Sequence, residues 1–379
     1  MGSYGVWLRS GASSVSIANC TVHDVGAGGV RIGDGTPPSI TSELVLHNSV
    51  LDTVISHGGR VFEAGQGVLV QQASHTVISH NDIFDLYQNG VALGWTWDYS
   101  AADIAAAMNN TVSYNHIHRI GQRVTSDMGC VYTLGVSPGT SVHHNLCHDV
   151  QSFDYGGWGL YFDQASSNIS MFNNIVYGTR CAPFMHHWGQ NNTFRNNILV
   201  GNGTGCCCQL CSPGLLRSQP EPGSHNVSFV WDRNIAYLET GMLFAPPATE
   251  WNHSSLSFDR NTYYTAPGTT PWQDVSVDCS NPANSSAAAE QSYQYHFPGT
   301  TAGNTSWAQW RAAGQDTHSS VGKDPLFVNL AGPPSPFRAS LCAPRCHCGR
   351  STSEQSVGYA RRKGDLTKGA AQTHDSRRP

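Results

Sequence analysis

The sequence predicts an all-β fold, a right-handed parallel β-helix (solenoid) of about eight or nine rungs. A short alternating strand, opened by Asn or a neighbouring residue, recurs every 23 to 37 residues, and a second strand, usually opened by Gly, lies between successive copies. No helical period interrupts them. Short strands bury an apolar inner face only when coil stacks upon coil, and the crossover preference of parallel strands makes the coil right-handed.

The recurring strands define the expected inner columns. Asn tolerates left-handed turn geometry and its amide can bond from rung to rung. We therefore expect a stacked column of turn residues made of Asn81, Asn115, Asn145, Asn173 and Asn196. An aliphatic column is expected at Ile83, Ile117 and Ile175. The histidines near the repeat turns are interpreted as further structural ladder residues, namely His116, His118, His143, His144 and His148.

Charge is scarce and unevenly placed. Only 12% of the 379 residues are charged, and the net charge of −5 divides into −10 before position 340 and +5 after it. The body lacks the basic surface that a nucleic-acid binder needs. The sequence predicts parallel β-helix repeats over residues 1–270, with an N-terminal portion missing. It also predicts a C-terminal extension that packs on the β-helix over 271–340 and a disordered basic tail over 341–379. We expect a monomer.

Several features indicate an extracellular protein. There is no apolar run of about 18 residues that could span a membrane, and no signal peptide opens the chain, so we expect a preceding segment to carry one. Glycosylation sequons occur at Asn19, Asn109, Asn168, Asn191, Asn202, Asn226, Asn252, Asn284 and Asn304. The two Cys clusters, Cys206–Cys211 and Cys342–Cys348, lack the spacing of zinc ligands, so we expect neither a metal nor a cofactor.

The second strands locate a candidate site. If Val91, Val131, Leu160 and Phe184 share one inward position, the next outward residues are Ala92, Tyr132, Tyr161 and Met185, followed two positions on by Gly94, Leu134, Asp163 and His187. Side chains alternate along a strand. Asp163, His187, Tyr132 and Tyr161 are therefore expected on one outer patch. His186 is adjacent to His187 and points to the opposite face, which argues against a shared metal.

Loops add carboxylates and aromatic rings to this patch. Asp127 precedes Tyr132, Asp154 and Trp158 precede Tyr161, and GWTWDYS supplies Trp95 and Trp97 with Asp98 and Tyr99. Aromatic rings stack on sugars, and two carboxyl groups hydrolyse a glycosidic bond. We predict Asp127 and Asp163 as the catalytic pair, provided that the chain turns sharply near Gly129. If it does not, Asp98 or Asp154 becomes the second carboxylate. The remaining residues, Trp95, Trp97, Tyr132, Asp154, Trp158, Tyr161 and His187, are predicted to bind substrate.

Two other functions stay open at this point. A polysaccharide lyase is a rival enzyme, although the Lys or Arg base that it would need is scarce: Lys is absent before Lys323. A non-catalytic carbohydrate-binding or adhesion solenoid is the rival from another class. It has no need for an outward Asp beside Tyr161.

Five ordered segments carry a resemblance to a known family. SDMGCVYTLGVSPGT, YGGWGLYFDQASSNI, HHWGQNNTFRNNIL, LLRSQPEPGSHNVSFVWDRNI and AGQDTHSSVGKDPLFVN, within residues 1–340, resemble bacterial β-helix proteins of glycoside hydrolase family 141. That resemblance implies α-L-fucosidase or xylanase activity on plant cell-wall polysaccharides, with catalytic Asp residues at the positions of Asp127 and Asp163. Cys130 departs from the family, where a small residue or Gly is usual.

Overall fold

The computed structural model describes residues 2–97, 107–201, 216–218, 227–238, 244–245, 256–265 and 307–327. Asp98, Tyr99, both Cys clusters and the basic tail lie outside them. All features below belong to the compact unit Met1–Pro325. Within these ranges the chain winds into three long parallel sheets, which confirms the predicted β-helix.

Each turn of the coil contributes one strand to each sheet. The first sheet contains Val6–Leu8, Val30–Gly33, Val68–Gln71, Val91–Gly94, Gly129–Leu134, Trp158–Phe162, Phe184–His186, Leu216–Ser218 and Phe244–Ala245. The second contains Ser16–Ala18, Ser49–Leu51, Val77–Ser79, Thr111–Ser113, Ser141–His143, Ser170–Phe172, Asn192–Arg195, Phe229–Asp232 and Leu256–Asp259. The third contains Thr21–His23, Val54–Ser56, Asp82–Leu86, His116–Ile120, Leu146–Val150, Ile175–Thr179, Ile198–Gly201, Ile235–Leu238, Thr262–Thr265 and Ser320–Val321.

Few other elements accompany the sheets. Val45–Leu46 pairs with Ala73–Ser74, Thr41–Glu43 forms a 3-10 turn, and Trp307–Ala312 forms an α-helix. Among the described residues, none of the helices is long and apolar enough to cross a bilayer.

The interior is a continuous apolar column that becomes aromatic toward the C-terminal end. Small aliphatic residues such as Val68 and Val91 fill the early rungs, whereas Phe184, Trp231 and Trp310 fill later ones. Apolar area removed from water is the main favourable term of folding. The column therefore stabilises strands that are too short to persist alone.

A buried asparagine ladder joins the rungs between the second and third sheets. Each side-chain oxygen accepts the backbone N–H of the preceding ladder residue, at 3.0 Å from Asn81 N to Asn115 Oδ1 and 3.0 Å from Asn115 N to Asn145 Oδ1. Each amide nitrogen donates to a strand carbonyl, as Asn81 does to Val50 at 3.0 Å. The ladder runs through Asn81, Asn115, Asn145, Asn174, Asn197, Asn234 and Asn261.

The prediction of the Asn column was wrong by one residue at two of its five positions. The ladder uses Asn174 and Asn197, while Asn173 and Asn196 adopt the left-handed turn conformation just before them, with φ of 57° and 53°. In each Asn-Asn pair the first residue makes the turn and the second enters the ladder. The same shift puts Val176, not Ile175, in line with Ile117 and Cys147 in the inner column.

The prediction that five histidines lie at the repeat turns was correct for only some of them. His144 is a turn residue with φ of 56°. His143 ends a strand of the second sheet, and His116, His118 and His148 lie on strands of the third sheet. The reason is that these three follow their ladder Asn rather than precede it.

Asp316 ends the ladder. Its Oδ1 accepts the side-chain amide of Asn261 at 2.8 Å, and its Oδ2 accepts Trp310 Nε1 at 2.7 Å. Tyr263 and Ser319 donate to the same carboxyl. The Ser319 hydroxyl accepts the Asn261 N–H at 2.7 Å. These contacts satisfy the backbone N–H and side-chain amide of Asn261 inside the protein.

Candidate active site

The outer face of the first sheet carries the predicted column. Val91, Val131, Leu160 and Phe184 occupy matching inward positions, and Ala92, Tyr132, Tyr161 and Met185 follow on the outside. This confirms the register on which the predicted site depends. Tyr132 and Tyr161 pack edge to face with ring centres 4.9 Å apart.

Asp163 follows this column and is 6% exposed. Its Oδ1 accepts the Tyr161 hydroxyl at 2.7 Å and His187 Nδ1 at 2.8 Å, and its Oδ2 accepts the Tyr132 hydroxyl in a short hydrogen bond. Burial acts to raise the pKa of Asp163, but hydrogen bonds from His187, Tyr132 and Tyr161 outweigh it and the pKa lies below its usual value. The side chain is therefore held as a carboxylate.

Asp127 reaches the same patch from the preceding rung. The chain bends at Asp127 itself, where φ is 54°, rather than at Gly129. The Asp127 N–H donates to the Tyr155 carbonyl at 3.1 Å. A side chain at Gly156 would come within 2.7 Å of the Asp127 nitrogen, so only glycine lets the two loops approach this closely.

The two carboxyl groups meet at Tyr161. Its hydroxyl lies 3.2 Å from Asp127 Oδ1 and 2.7 Å from Asp163 Oδ1, so those two oxygens are at most 5.9 Å apart, the sum of the two distances. Burial and the charge of Asp163 raise the pKa of Asp127 above its usual value, against opposing hydrogen bonds from Tyr161 and Tyr155. The same surroundings raise the pKa of Tyr161 well above 10, which keeps its hydroxyl protonated.

The tryptophans occupy different depths. Trp97 is 53% exposed and stands edge to face against Trp95, with ring centres 5.5 Å apart. Trp95 lies 6.2 Å from Tyr132 in turn. Trp158, predicted to contact substrate, is only 2% exposed and packs 4.4 Å from Tyr161. Its buried ring supports the tyrosine rather than offering a face to a ligand.

Asp154 lies at the surface beside the loop that carries Asp127. It lies in an exposed turn, where its backbone N–H donates to Ser126 Oγ at 3.0 Å. Its neighbour Tyr155 was not among the predicted site residues, although it opens the segment YGGWGLYFDQASSNI. The Tyr155 hydroxyl hydrogen-bonds Asp127, and burial and that carboxyl raise the pKa of Tyr155.

His186 and His187 point to opposite faces. His186 is fully buried beside Phe162 and Phe229, and burial, with the neighbouring His187, lowers its pKa to about 3. His187 has a third of its side chain exposed and contacts Asp163. Only His187 takes part in the outer site.

The family assignment rests on the sequence of the coils. The model of the right-handed β-helix region matches residues 1–135 and 61–214, which together span more than half of the chain. The protein therefore belongs to the right-handed β-helix family. No curated protein sequence matches it.

The solved structures that are similar in fold include the following three. A glycoside hydrolase is 20% identical with a TM-score of 0.44, over 61% of this chain and 34% of that chain. A mutant tailspike protein of E. coli bacteriophage HK620, in complex with a hexasaccharide, is 12% identical with a TM-score of 0.46, over 69% of this chain and 46% of that one. An alginate lyase from Paenibacillus sp. str. FPU-7 is 10% identical with a TM-score of 0.40, over 70% of this chain and 94% of that chain. The chain thus spans about a third of the hydrolase and under half of the tailspike.

Proposed function

We propose that the protein is a glycoside hydrolase that cleaves a cell-wall type polysaccharide by a two-carboxylate mechanism. The observation that carries the proposal is the pairing of Asp127 and Asp163 across Tyr161, with oxygens at most 5.9 Å apart. Carboxyl groups about 5–5.5 Å apart are typical of retaining enzymes, and inverting enzymes need about 6.5–9.5 Å. The spacing supports retention.

The roles follow from the opposed shifts in pKa. Asp127, whose pKa is raised by burial and by Asp163, is the proton donor to the glycosidic oxygen. Asp163, whose pKa is held down by its three hydrogen-bond donors, is the nucleophile that attacks the anomeric carbon. The glycosidic bond breaks as the Asp163 ester forms, and Asp127, now ionised, deprotonates the water that hydrolyses the ester. Tyr161 and His187 hold the nucleophile in place.

The aromatic groups suit a sugar. Trp97 offers an exposed ring beside Trp95, and sugar CH groups stack on such faces. From its segments similar to family 141, we propose α-L-fucosides or xylan as the substrates to test first. Asp154 contributes at the margin of the site.

An extracellular location is part of the proposal. The sequon residues among the described ranges, Asn19, Asn109, Asn168 and Asn191, are all exposed. Cys130 and Cys147 form a disulfide, and disulfides persist in oxidising compartments.

The test is hydrolysis of aryl α-L-fucosides, aryl β-xylosides and xylan by the full chain. Asp163→Asn and Asp127→Asn should each lower kcat/KM by about 10²–10⁴-fold. Asp127→Asn should lose less on aryl glycosides, whose good leaving groups need little protonation. Asp24→Asn is the matched control, since Asp24 is exposed and its φ of 54° suits Asn.

Other outcomes identify the rivals. If the unsubstituted protein is folded and binds oligosaccharide without cleaving it, the result indicates a non-catalytic binding solenoid. An unsaturated, ultraviolet-absorbing product indicates a lyase. A first-formed product of inverted configuration contradicts the role of Asp163 as nucleophile.

A further inference from the structure

Three histidines cluster on the outer face of the third sheet, whereas the carboxyl pair is associated with the first sheet. His116 and His118 are two residues apart on one strand and so share a face. His118 is paired with His148 on the next strand. One ring nitrogen from each of the three lies within 4.8 Å of the others. His-x-His on one strand with a third His in register is a compact set of nitrogen ligands.

Two carboxylates hold the rings. Asp82 Oδ1 lies 3.1 Å from His116 Nδ1 and 3.1 Å from His118 Nε2, and Asp149 Oδ2 lies 2.9 Å from His148 Nδ1. Metal-binding histidines typically donate their other ring N–H to a carboxylate, which fixes their orientation.

The ring nitrogens that remain are in conflict without a cation. His116 Nε2 and His148 Nε2 are 2.8 Å apart. The rings of His116 and His148 each face a carboxylate through Nδ1, so in both the Nδ1 atom carries a hydrogen. A neutral imidazole has only one N–H hydrogen. Both Nε2 atoms then present lone pairs to each other. Such an arrangement is stable only with a positive charge between them, supplied by a proton or a metal ion.

We propose that His116, His118 and His148 bind one divalent transition-metal ion, with Zn²⁺ as the best fit. Three imidazoles with an open fourth position suit Zn²⁺, which binds nitrogen at about 2.0–2.1 Å. Asp82 and Asp149 orient the rings. The ion enters past His116, whose side chain is 42% exposed, while those of His118 and His148 are 12% and 11% exposed.

Such an ion would tie neighbouring rungs together. It joins the strands His116–Ile120 and Leu146–Val150. Asp82, on the preceding strand, contacts His116 and His118 and so links a third rung to the site. Flanking rings limit how far the ligands can move. Phe84 stacks on His118 at 4.9 Å and Tyr177 stacks on His148 at 4.9 Å. We therefore assign the ion a structural role.

The test is a Co²⁺ titration of the chelator-treated full chain, followed by displacement with Zn²⁺. One Co²⁺ per chain should bind, give the visible spectrum of a nitrogen-ligated ion and leave when Zn²⁺ is added. Zn²⁺ should raise Tm by several degrees. His116→Gln and His148→Gln should weaken binding at least about 100-fold, and Asp149→Asn about 10–100-fold.

His143→Gln is the matched control. His143 also contacts another histidine, since its Nδ1 is 2.8 Å from His144 Nδ1, but no carboxylate contact is present in the described structure around that pair. Its loss should leave binding unchanged. Asp149→Asn keeps all three ligands and decides the matter if a His variant fails to fold. No saturable binding, as expected if a proton alone bridges the pair, or binding that survives both His substitutions and Asp149→Asn, would overturn the proposal.

Discussion

Asp127 and Asp163 come from successive rungs and meet at one hydroxyl, that of Tyr161, at 3.2 Å and 2.7 Å. A hydroxyl has a single hydrogen. The shorter contact to the ionised Asp163 takes that hydrogen, and a protonated Asp127 can donate its own to the Tyr161 oxygen. The three groups then form a chain of hydrogen bonds with one negative charge. The pKa of Asp127, raised by burial and by Asp163, and the lowered pKa of Asp163 are consistent with this distribution of protons.

The pH dependence of kcat/KM should be bell-shaped. Activity needs Asp163 ionised and Asp127 protonated. As pH falls through the lowered pKa of Asp163 the nucleophile is lost, and as pH rises through the raised pKa of Asp127 the acid is lost. The checking experiment is a pH profile with an aryl glycoside for the parent and for Asp127→Asn, which should lack the basic limb. A basic limb of unchanged position in that variant would assign the acid to another group.

Tyr161→Phe should lower kcat/KM by about 10–100-fold, because a hydrogen bond to a charged group contributes about 1.5–3 kcal/mol. It should also move the acidic limb of the profile upward, since Asp163 loses a donor. The phenyl ring keeps the packing against Trp158, but the buried Asp163 loses a donor, so the unfolding temperature should fall by several degrees without loss of the fold. Unchanged kinetics with an unchanged profile would remove Tyr161 from the site. Tyr114→Phe, at a residue 50% exposed, serves as the matched control for a lost phenol hydroxyl.

Gly156→Ala should impair activity without unfolding the coil. The added carbon meets the backbone nitrogens of Asp127 and Met128 at 2.7 and 2.9 Å, and φ at Gly156 is 91°. Asp127 must therefore shift away from Asp163. Gly314→Ala is the matched control, as φ there is 86° but nothing lies within 4 Å of the added carbon. We expect a fall in kcat of about 10²-fold for the first, on the scale of a displaced catalytic group, and none for the second, measured beside circular dichroism.

The Asn-Asn pair at 173 and 174 separates the turn from the ladder. Asn174→Ala leaves the Asn145 N–H without its acceptor inside the protein and should cost about 1–3 kcal/mol of unfolding free energy. Asn173→Gly keeps the left-handed turn and loses only exposed side-chain contacts with Asn196 and His144, so it should cost less than about 1 kcal/mol. Denaturant unfolding of the two variants measures both. Equal losses would contradict the division of roles within the pair.

The β-helix itself could be predicted from the sequence because its signal repeats: Asn, alternating strand and Gly-opened strand return in coil after coil. The outer column was predictable for the same reason, since Tyr132 and Tyr161 align once the inner residues are registered. The single-residue shift at Asn173 arose because two adjacent Asn satisfy the same local pattern, and only pairing with neighbouring rungs distinguishes them.

The local bend and the depth of the site were less predictable. Nothing in SDMG indicates that Asp127 rather than Gly129 takes the positive φ, because that conformation depends on Gly156 in the next rung. Burial of Trp158 likewise depends on the tertiary packing around Tyr161. The contact of Tyr155 with Asp127 depends on the bend at Asp127 and on this packing, and no repeating pattern in the sequence indicates it.

The asparagine ladder is modular, and Asp316 closes it at one end within the described residues. Each ladder Asn requires only that another acceptor follow, so the coil could gain or lose whole Asn-to-Asn cassettes, such as 115–144, without altering the geometry of the others. A carboxylate already saturated by Asn261, Trp310, Tyr263 and Ser319 offers no donor to a further rung. A further coil stacked on this end would therefore gain none of the hydrogen bonds by which each ladder Asn joins its neighbours.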